Sequence, residues 1–330
     1  MGSDSLSAAG RRWFLVGGAG FIGSHFVDCL LSDGAACVTV YDNFSSGRAW
    51  HLEPHADDAR LTVVEADAAD LDALVEAMDG HDIVIHLASN PDIARAMTDP
   101  AVDFQEGTVL THNVVEAMRM SSAKRILYAS GSGVYGDLGE READEDWGPL
   151  LPISTYGASK LAGEALISAY CFMFGLSGCV FRFGNVVGPR QTHGVGFDFV
   201  RRLIENPSEL PILGDGTQSK SYVHVLDVVD AVLLAEREAG HPFDVFNVAT
   251  GDYITVSEIA DLAVDVLGLE DRRPVYRYTG GDRGWKGDVP VVRLNTERIR
   301  RLGWSNRYNA REALAAALTD LLEDARAGRL

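Results

Sequence analysis

The stretch STYGASK sets Tyr156 and Lys160 four residues apart, so a helix beginning there carries both on one face. A phenol beside an ammonium is a candidate general base. A free phenol, with a pKa of about 10, is only about 0.1% ionised at pH 7, a deficit of roughly 4 kcal/mol relative to full ionisation. A positive charge one turn away removes part of it, and the resulting phenolate can take a proton from a hydroxyl. A bare Y-x-x-x-K is common by chance, and position is what gives this one weight. It follows ASGSGVYG, Ala129 to Gly136, in which Ser130 and Ser132 alternate with Gly131 and Gly133 directly after the apolar run RILY. Hydroxyls on otherwise bare backbone, where a buried strand should end, are suited to holding a reacting oxygen.

A second constellation lies near the start. The run WFLV leads into GGAGFIGSHF, with Gly17, Gly20 and Gly23 at G-x-x-G-x-x-G spacing. Gly17 permits the tight turn, Gly20 lets a pyrophosphate approach the backbone of the helix N-terminus beside Phe21 and Ile22, and Gly23 lets helix and strand pack closely. The next strand ends in Asp42, 19 residues after Gly23, where a carboxylate can accept both ribose hydroxyls of an adenosine. These features point to a dinucleotide. A carboxylate at Asp42 repels a 2′-phosphate and favours NAD over NADP, with Arg48 nearby as the feature that would favour NADP. Asn43, Ser45 and Gly47 follow Asp42, Asp67 and Ala68 end the next strand, and Leu87, Ala88 and Ser89 end the one after. All are expected to line the same cofactor, and simple strand-end turns are the alternative for the last two groups.

These residues need a frame. Apolar runs alternate with helix-period segments: WFLVG, Phe21 to Leu31, CVTVYD, LTVVEAD, Leu71 to Met78, DIVIHLA, Val109 to Met120, RILYAS, Tyr156 to Phe174, CVFRF. Continuous Val- and Ile-rich runs fit strands buried on both faces, the βαβ pattern of a doubly wound, Rossmann-type parallel α/β sheet. After about Asn185 the pattern loosens into Gly- and Pro-containing loops, short strands such as DVFNV, and helices at roughly Val225 to Glu238 and Val256 to Leu267. The expected division is a disordered leader over 1–10, a cofactor-binding domain over 11–184, and over 185–330 a smaller substrate-binding lobe, some of whose segments could return to the sheet.

The chain has 330 residues, 46% of them hydrophobic, and a formal net charge of −19. That length buries an ordinary core. No apolar run approaches the roughly 18 to 20 residues of a membrane span, and the opening MGSDSLSAAG lacks the basic start and apolar centre of a secretory signal, so a cytoplasmic location is expected. The acidic balance disfavours nucleic acid and anionic membranes as partners, which require a basic face. Cys29, Cys37, Cys171 and Cys179 have no C-x-x-C or metal spacing and read as buried free thiols. His193, His224 and His241 likewise lack ligand spacing, and no metal is expected.

Taken in order, GGAGFIGSH, YDNFSSGR, HLAS, VYG, YGASK, RFGNVVGPR, LGDGTQSKSYVHVLDVVDA and GGDRGWKGDVP make nearly the whole chain similar to the extended short-chain dehydrogenase/reductase family. The resemblance is to its epimerase and dehydratase branch, and within that to UDP-glucose 4-epimerase-like members. It implies NAD as the cofactor, a nucleotide-diphosphate sugar, most simply a UDP-sugar, as substrate, and a homodimer. It assigns Tyr156 as base and Lys160 to the nicotinamide ribose. Asn185, Arg190, Lys220 and Arg283 then face the substrate diphosphate and Asp288 its ribose, with Tyr156 and Ser132 at the sugar; an ordinary surface ion pair is the alternative for Lys220 and for Arg283. Lys220 stands where many relatives have an arginine, and a point charge grips phosphate differently from a bidentate fork.

Two positions depart from the family pattern. Gly131 occupies the place of the usual catalytic Ser or Thr, so Ser132 or Ser130 must supply the hydroxyl. Gly107 stands where the family has an Asn near the cofactor. Ser132 and Gly133 also replace the acidic residues that dehydratases and decarboxylases carry before the equivalent of Val134. The sequence therefore reads as a 4-epimerase working through a transient 4-keto sugar. A nucleotide-sugar 4-dehydrogenase or dehydratase is the alternative, and a catalytically silent NAD-sensing module is a further one that the intact Tyr156 and Lys160 disfavour.

Overall fold

A computed structural model describes residues 8–329. In chain order the strands and helices are β1 (Arg12–Val16), α1 (Phe21–Ser32), β2 (Cys37–Asp42), β3 (Leu61–Glu65), α2 (Leu71–Met78), β4 (Ile83–His86), α3 (Ala101–Asp103), α4 (Leu110–Met120), β5 (Arg125–Gly131), α5 (Thr155–Phe174), β6 (Ser177–Phe183), β7 (Asn185–Val187), α6 (Val195–Glu205), β8 (Glu209–Ile212), β9 (Ser219–Lys220), β10 (Tyr222–His224), α7 (Val225–Glu238), β11 (Phe243–Val248), β12 (Ile254–Thr255), α8 (Val256–Val266), β13 (Val275–Tyr278), α9 (Glu297–Arg301) and α10 (Ala310–Arg326). The chain divides into two compact units, one of 1–131, 158–182 and 229–246, the other of 132–157, 183–228 and 247–330.

The first unit is built on a seven-stranded parallel sheet of order β11-β6-β5-β4-β1-β2-β3. Trp13, Phe14 and Leu15 of β1 are fully buried, as are Val38 and Val40 of β2. Central strands of a parallel sheet under helices are covered on both faces, which is why they read as unbroken apolar runs. On one face Phe14, Val84, Ile126 and Val180 meet Leu74 and Met78 of α2, Val114 and Met118 of α4 and Ile167 of α5. Pairing aligns Val16 with Tyr41 and with His86, and His86 with Tyr128. The residues that follow, Gly17, Asp42, Leu87 and Ala129, therefore share the carboxyl edge of the sheet, where ligands of such sheets bind.

Three expectations differ from what is observed. The composition of β3 predicts burial on both faces, but it is the terminal strand of the sheet and Val63 is 45% exposed. DVFNV is a segment of the expected lobe region that does return to the sheet: it supplies most of β11 and closes the opposite edge beside β6. Of the leader, residues 1–7 lie outside the described residues, while Ala8 is buried, Ala9 bridges to Ala35 and the Gly10 N–H donates to the Gly34 carbonyl. Cys171 and Cys179 are buried free thiols, whereas Cys29 and Cys37 are only half-buried.

In the second unit three short strand pairs, β7 with β10, β8 with β13 and β9 with β12, frame helices α6, α8 and α10. Phe199, Leu203, Ile259, Leu262, Leu314 and Leu318 from those helices form its core with Leu210 and Ile212. Thr255 with Glu258 and Asn309 with Glu312 form capping boxes that fix where α8 and α10 begin.

Candidate active site

The turn after β1 has the geometry a pyrophosphate needs. Gly17 has φ of +82°, and a Cβ there would come within 2.7 Å of the Ala88 backbone nitrogen, so no other residue fits. Gly20 is the N-cap of α1 and offers no side-chain cap, and the first turn has no acidic residue. Amide groups at that end are thus directed outward without a competing carboxylate, which favours an anion. Asp42, 8% exposed, is held at the end of β2 by the Ala19 and Phe44 N–H groups, each donating to one carboxylate oxygen at 2.9 Å. Burial raises its pKa, and those two N–H bonds oppose the shift. A Cβ on Gly47 would approach an Asp42 oxygen to 2.9 Å, so this glycine keeps the carboxylate approachable. Asn43 donates to the Asp67 carboxylate and accepts from the Ser45 N–H, while Leu87 and Ala88 donate to the Val16 carbonyl. Within the first unit the structure thus brings Gly17, Gly20, Phe21, Ile22, Gly23, Asp42, Asn43, Ser45, Gly47, Asp67, Ala68, Leu87, Ala88 and Ser89 to one edge of the sheet or to the loops there. These residues fit the diphosphate and ribose of NAD.

Tyr156 and Lys160 lie on the first two turns of α5, as their spacing predicts. Lys160 is 3% exposed, and its ammonium donates to the Ala129 carbonyl at 2.8 Å and stands 5.1 Å over the Tyr128 ring. Burial pushes its pKa down to about 8, with Glu164 and Asp103 pulling the other way. Burial and then Lys160 push His86 down to about 3. His86 is accordingly a neutral imidazole, with Nε2 3.0 Å from the Thr111 hydroxyl.

The two serines part company. Ser130, expected as an alternative catalytic hydroxyl, is 5% exposed and donates to the Glu164 carboxylate at 2.5 Å. Its hydroxyl is committed to a structural partner. Ser132 is half-buried and lines a small cavity, with room for about one water, together with Tyr135, Leu138, Arg141, Arg293 and Leu294. A Cβ on Gly131 would meet nothing within 4 Å, so neither packing nor backbone conformation demands glycine there. Gly107 is different: a Cβ would come within 2.5 Å of the Ser159 hydroxyl, and the residue sits in a π-helical turn, Phe104–Val109. Ser159 thus occupies the space that the family's asparagine would need.

In the second unit the expected phosphate-facing cations are engaged with acids. Lys220 on β9 pairs with Asp288 at 2.5 Å. Arg283 donates to the Asp288 carbonyl at 2.6 Å and to the Asp137 carboxylate. Lys220, Arg283 and Asp288 therefore form one cluster, and Asn185 is exposed at the start of β7. Arg190 has φ of +65° just after it. Sequence reasoning missed Glu164 and Arg182, a fully buried pair joined at 2.7 Å. Two signals were available: a glutamate one turn after Lys160, and an arginine inside the apolar strand CVFRF, which cannot be buried without a partner.

The sequence matches the NAD dependent epimerase/dehydratase family over residues 13–249. It is 33% identical to the UDP-glucose 4-epimerase of Mycolicibacterium smegmatis over 311 residues, covering 92% of this chain and 96% of that one. A crystal structure of a UDP-galactose 4-epimerase superposes with a TM-score of 0.83 at 36% identity, covering 95% and 99% of the two chains. A dTDP-glucose 4,6-dehydratase from Streptomyces venezuelae, solved with NAD bound, superposes with a TM-score of 0.88 at 27% identity, covering 96% and 98%.

Proposed function

The chain belongs to the NAD-dependent epimerase/dehydratase family, and from that premise we propose that it is a nucleotide-sugar 4-epimerase of the UDP-glucose/UDP-galactose type. The observation that carries this reading is the pair on α5: Tyr156 one turn before a buried Lys160 whose ammonium is fixed on the Ala129 carbonyl. NAD, held by the glycine turn and Asp42, supplies a reversible hydride acceptor for C4 of the sugar. Tyr156 takes the proton of the 4-hydroxyl and returns it once the 4-keto sugar has turned over, and Lys160 holds positive charge beside the phenolate and binds the nicotinamide ribose. Ser132 donates to the reacting oxygen. Lys220, Arg283, Asp288, Asn185 and Arg190 bind the nucleotide diphosphate, which requires Lys220 to share its charge between Asp288 and phosphate.

Dehydration is disfavoured by Ser132 and Gly133, which leave no acid before Val134. We read the protein as a cytoplasmic homodimer. Among the described residues no helix is long and apolar enough to cross a membrane. Phe172 and Met173 of α5 and Met120 of α4 are more than half exposed, apolar side chains of the kind that a second copy would cover. The deciding experiment is incubation with UDP-glucose and, separately, UDP-galactose, with products followed by NMR. Approach to one equilibrium mixture from both sides, without added reductant, is expected; accumulation of a 4-keto product would sink the epimerase reading.

Two further outcomes are expected. Asp42→Ala should weaken NAD by about 10- to 100-fold, because hydrogen bonds to a charged group are worth about 1.5 to 3 kcal/mol, and should narrow discrimination against NADP. Calorimetry with both nucleotides checks this, and tighter NADP than NAD binding by the unaltered protein would overturn the cofactor assignment. Ser132→Ala should slow hydride transfer roughly 10- to 150-fold at unchanged NAD affinity. Gly131→Ser should fold normally, given the open space at its Cβ; stopped-flow absorbance then tells whether the added hydroxyl raises the rate or blocks the sugar.

A further inference from the structure

Beneath Lys160 lies a buried polar cluster that proton transfer by Tyr156 does not use. Ser130, Glu164 and Arg182 are each 5% exposed or less. The Arg182 guanidinium grips Glu164 through two nitrogens, Nε at 3.1 Å from one oxygen and a terminal nitrogen at 2.7 Å from the other. Ser130 donates to the same carboxylate. A buried ion pair is weak evidence of stabilisation, since removing both charges from water costs about as much as their attraction returns. Its position carries more information than its energy.

Ala129 and Ser130 are consecutive at the end of β5, and Lys160 and Glu164 are one turn apart on α5. The Ala129 carbonyl receives the lysine and the Ser130 hydroxyl is received by the glutamate. Strand end and helix face are thus locked at two adjacent points. The helix lies so close that a Cβ on Gly163, between the two, would come within 2.5 Å of the Tyr128 hydroxyl. Ser130 and Arg182 both donate to the Glu164 carboxylate. The other groups facing Lys160 are Asp103 of α3, His86 of β4, which is neutral, and the Tyr128 ring of β5. Arg182 on β6 stands behind Glu164.

We propose that Glu164, clamped by Arg182 and Ser130, is a positioning residue of the reaction: it fixes the Lys160 side chain on the end of β5 and supplies the counter-charge that keeps its ammonium protonated in a buried site. The proposal rests on the assignment of Lys160 and Tyr156 to the chemistry, but it concerns a charge that can be measured without turnover.

The test follows the Lys160 side-chain nitrogen by NMR across a pH titration of the full chain, with Lys160→Arg to assign the signal. In the unaltered protein it should titrate near 8. Glu164→Gln should lower that midpoint, because an opposite charge one helical turn away is lost. Glu164→Asp should recover part of the shift. Ser130→Ala, which keeps the charge, should leave the midpoint where it was. Should Glu164→Gln fold poorly because Arg182 is stranded, the paired variant Glu164→Met with Arg182→Met removes both charges and keeps the volume. It should retain a cooperative thermal transition and also lower the midpoint. In turnover, the alkaline limb of the kcat profile, where the Lys160 ammonium loses its proton, should move with the lysine midpoint in each variant. A Lys160 midpoint unchanged in both Glu164→Gln and the paired variant would overturn the proposal and leave the cluster as scaffold. A Tyr156→Phe enzyme that still turned over would instead overturn the mechanism and leave these titrations as they are.

Discussion

Tyr156→Phe is expected to lower sugar oxidation by about 10² to 10⁴-fold, the usual worth of a positioned proton acceptor, with little change in NAD binding. The substitution removes one oxygen and keeps the ring on the first turn of α5, so the fold and the neighbouring Lys160 should persist. Single-turnover measurement of nicotinamide reduction, beside calorimetric NAD binding, separates the two effects. A variant that keeps more than about a tenth of the unaltered rate would show that the phenol is not the base. A variant that loses NAD affinity to the same degree as rate would show that Tyr156 acts on the cofactor instead. Ser132→Ala adds to this comparison: if Ser132 and Tyr156 act on the same oxygen, the double variant should lose less than the product of the single losses.

Much of this arrangement was legible because the relevant signals are local. The bounds of α2 and α7 follow from hydrophobic period, and both structural elements of the glycine turn, a strand before and a helix after, lie within a few residues of it. Asp42 could be placed because a strand of fixed length carries it to the same edge as Gly17. What escaped depends on partners far along the chain. β3 has the composition of a buried strand, but nothing in LTVVEAD says that the sheet ends with it. That segments after Asn185 could return to the sheet was open, but nothing in DVFNV picks it out as the one, because its partner, β6, lies some sixty residues earlier. Ser130 lies within β5, whereas Ser132 opens the helical turn Ser132–Tyr135 that follows it; only the location of Glu164 decides which is spent on structure. For Lys220 a phosphate contact and an ordinary ion pair were both open, and its partner could not be named because Asp288 is distant in sequence. The departures at Gly131 and Gly107 were visible as residue types, and their opposite meanings, open space at one and Ser159 at the other, needed coordinates.

Lys160→Met should abolish turnover and yet change stability in a direction that reports what the site costs. The lysine pKa falls from its ordinary value of 10.5 to about 8 in the folded chain, chiefly through burial. Between those values the unfolded chain binds more protons than the folded one, so the contribution of Lys160 to stability rises with pH through that window. At neutral pH, below both values, the full penalty is present: about 2.5 units, or about 3 kcal/mol. Methionine fills a similar volume without a charge and is free of this penalty, but it leaves the Ala129 carbonyl without its donor, a loss of about 1 to 3 kcal/mol. That loss does not vary with pH, whereas the penalty does. Denaturant unfolding of cofactor-free protein should therefore show the variant gaining on the unaltered chain by about 3 kcal/mol as pH is lowered from about 11 to about 7. The two curves should converge in shape above the ordinary lysine pKa. A stability difference that stays constant across the range would mean that Lys160 titrates normally in the folded chain. The ammonium would then be as well solvated as in water, and could not be a charge that the fold spends stability to hold beside Tyr156.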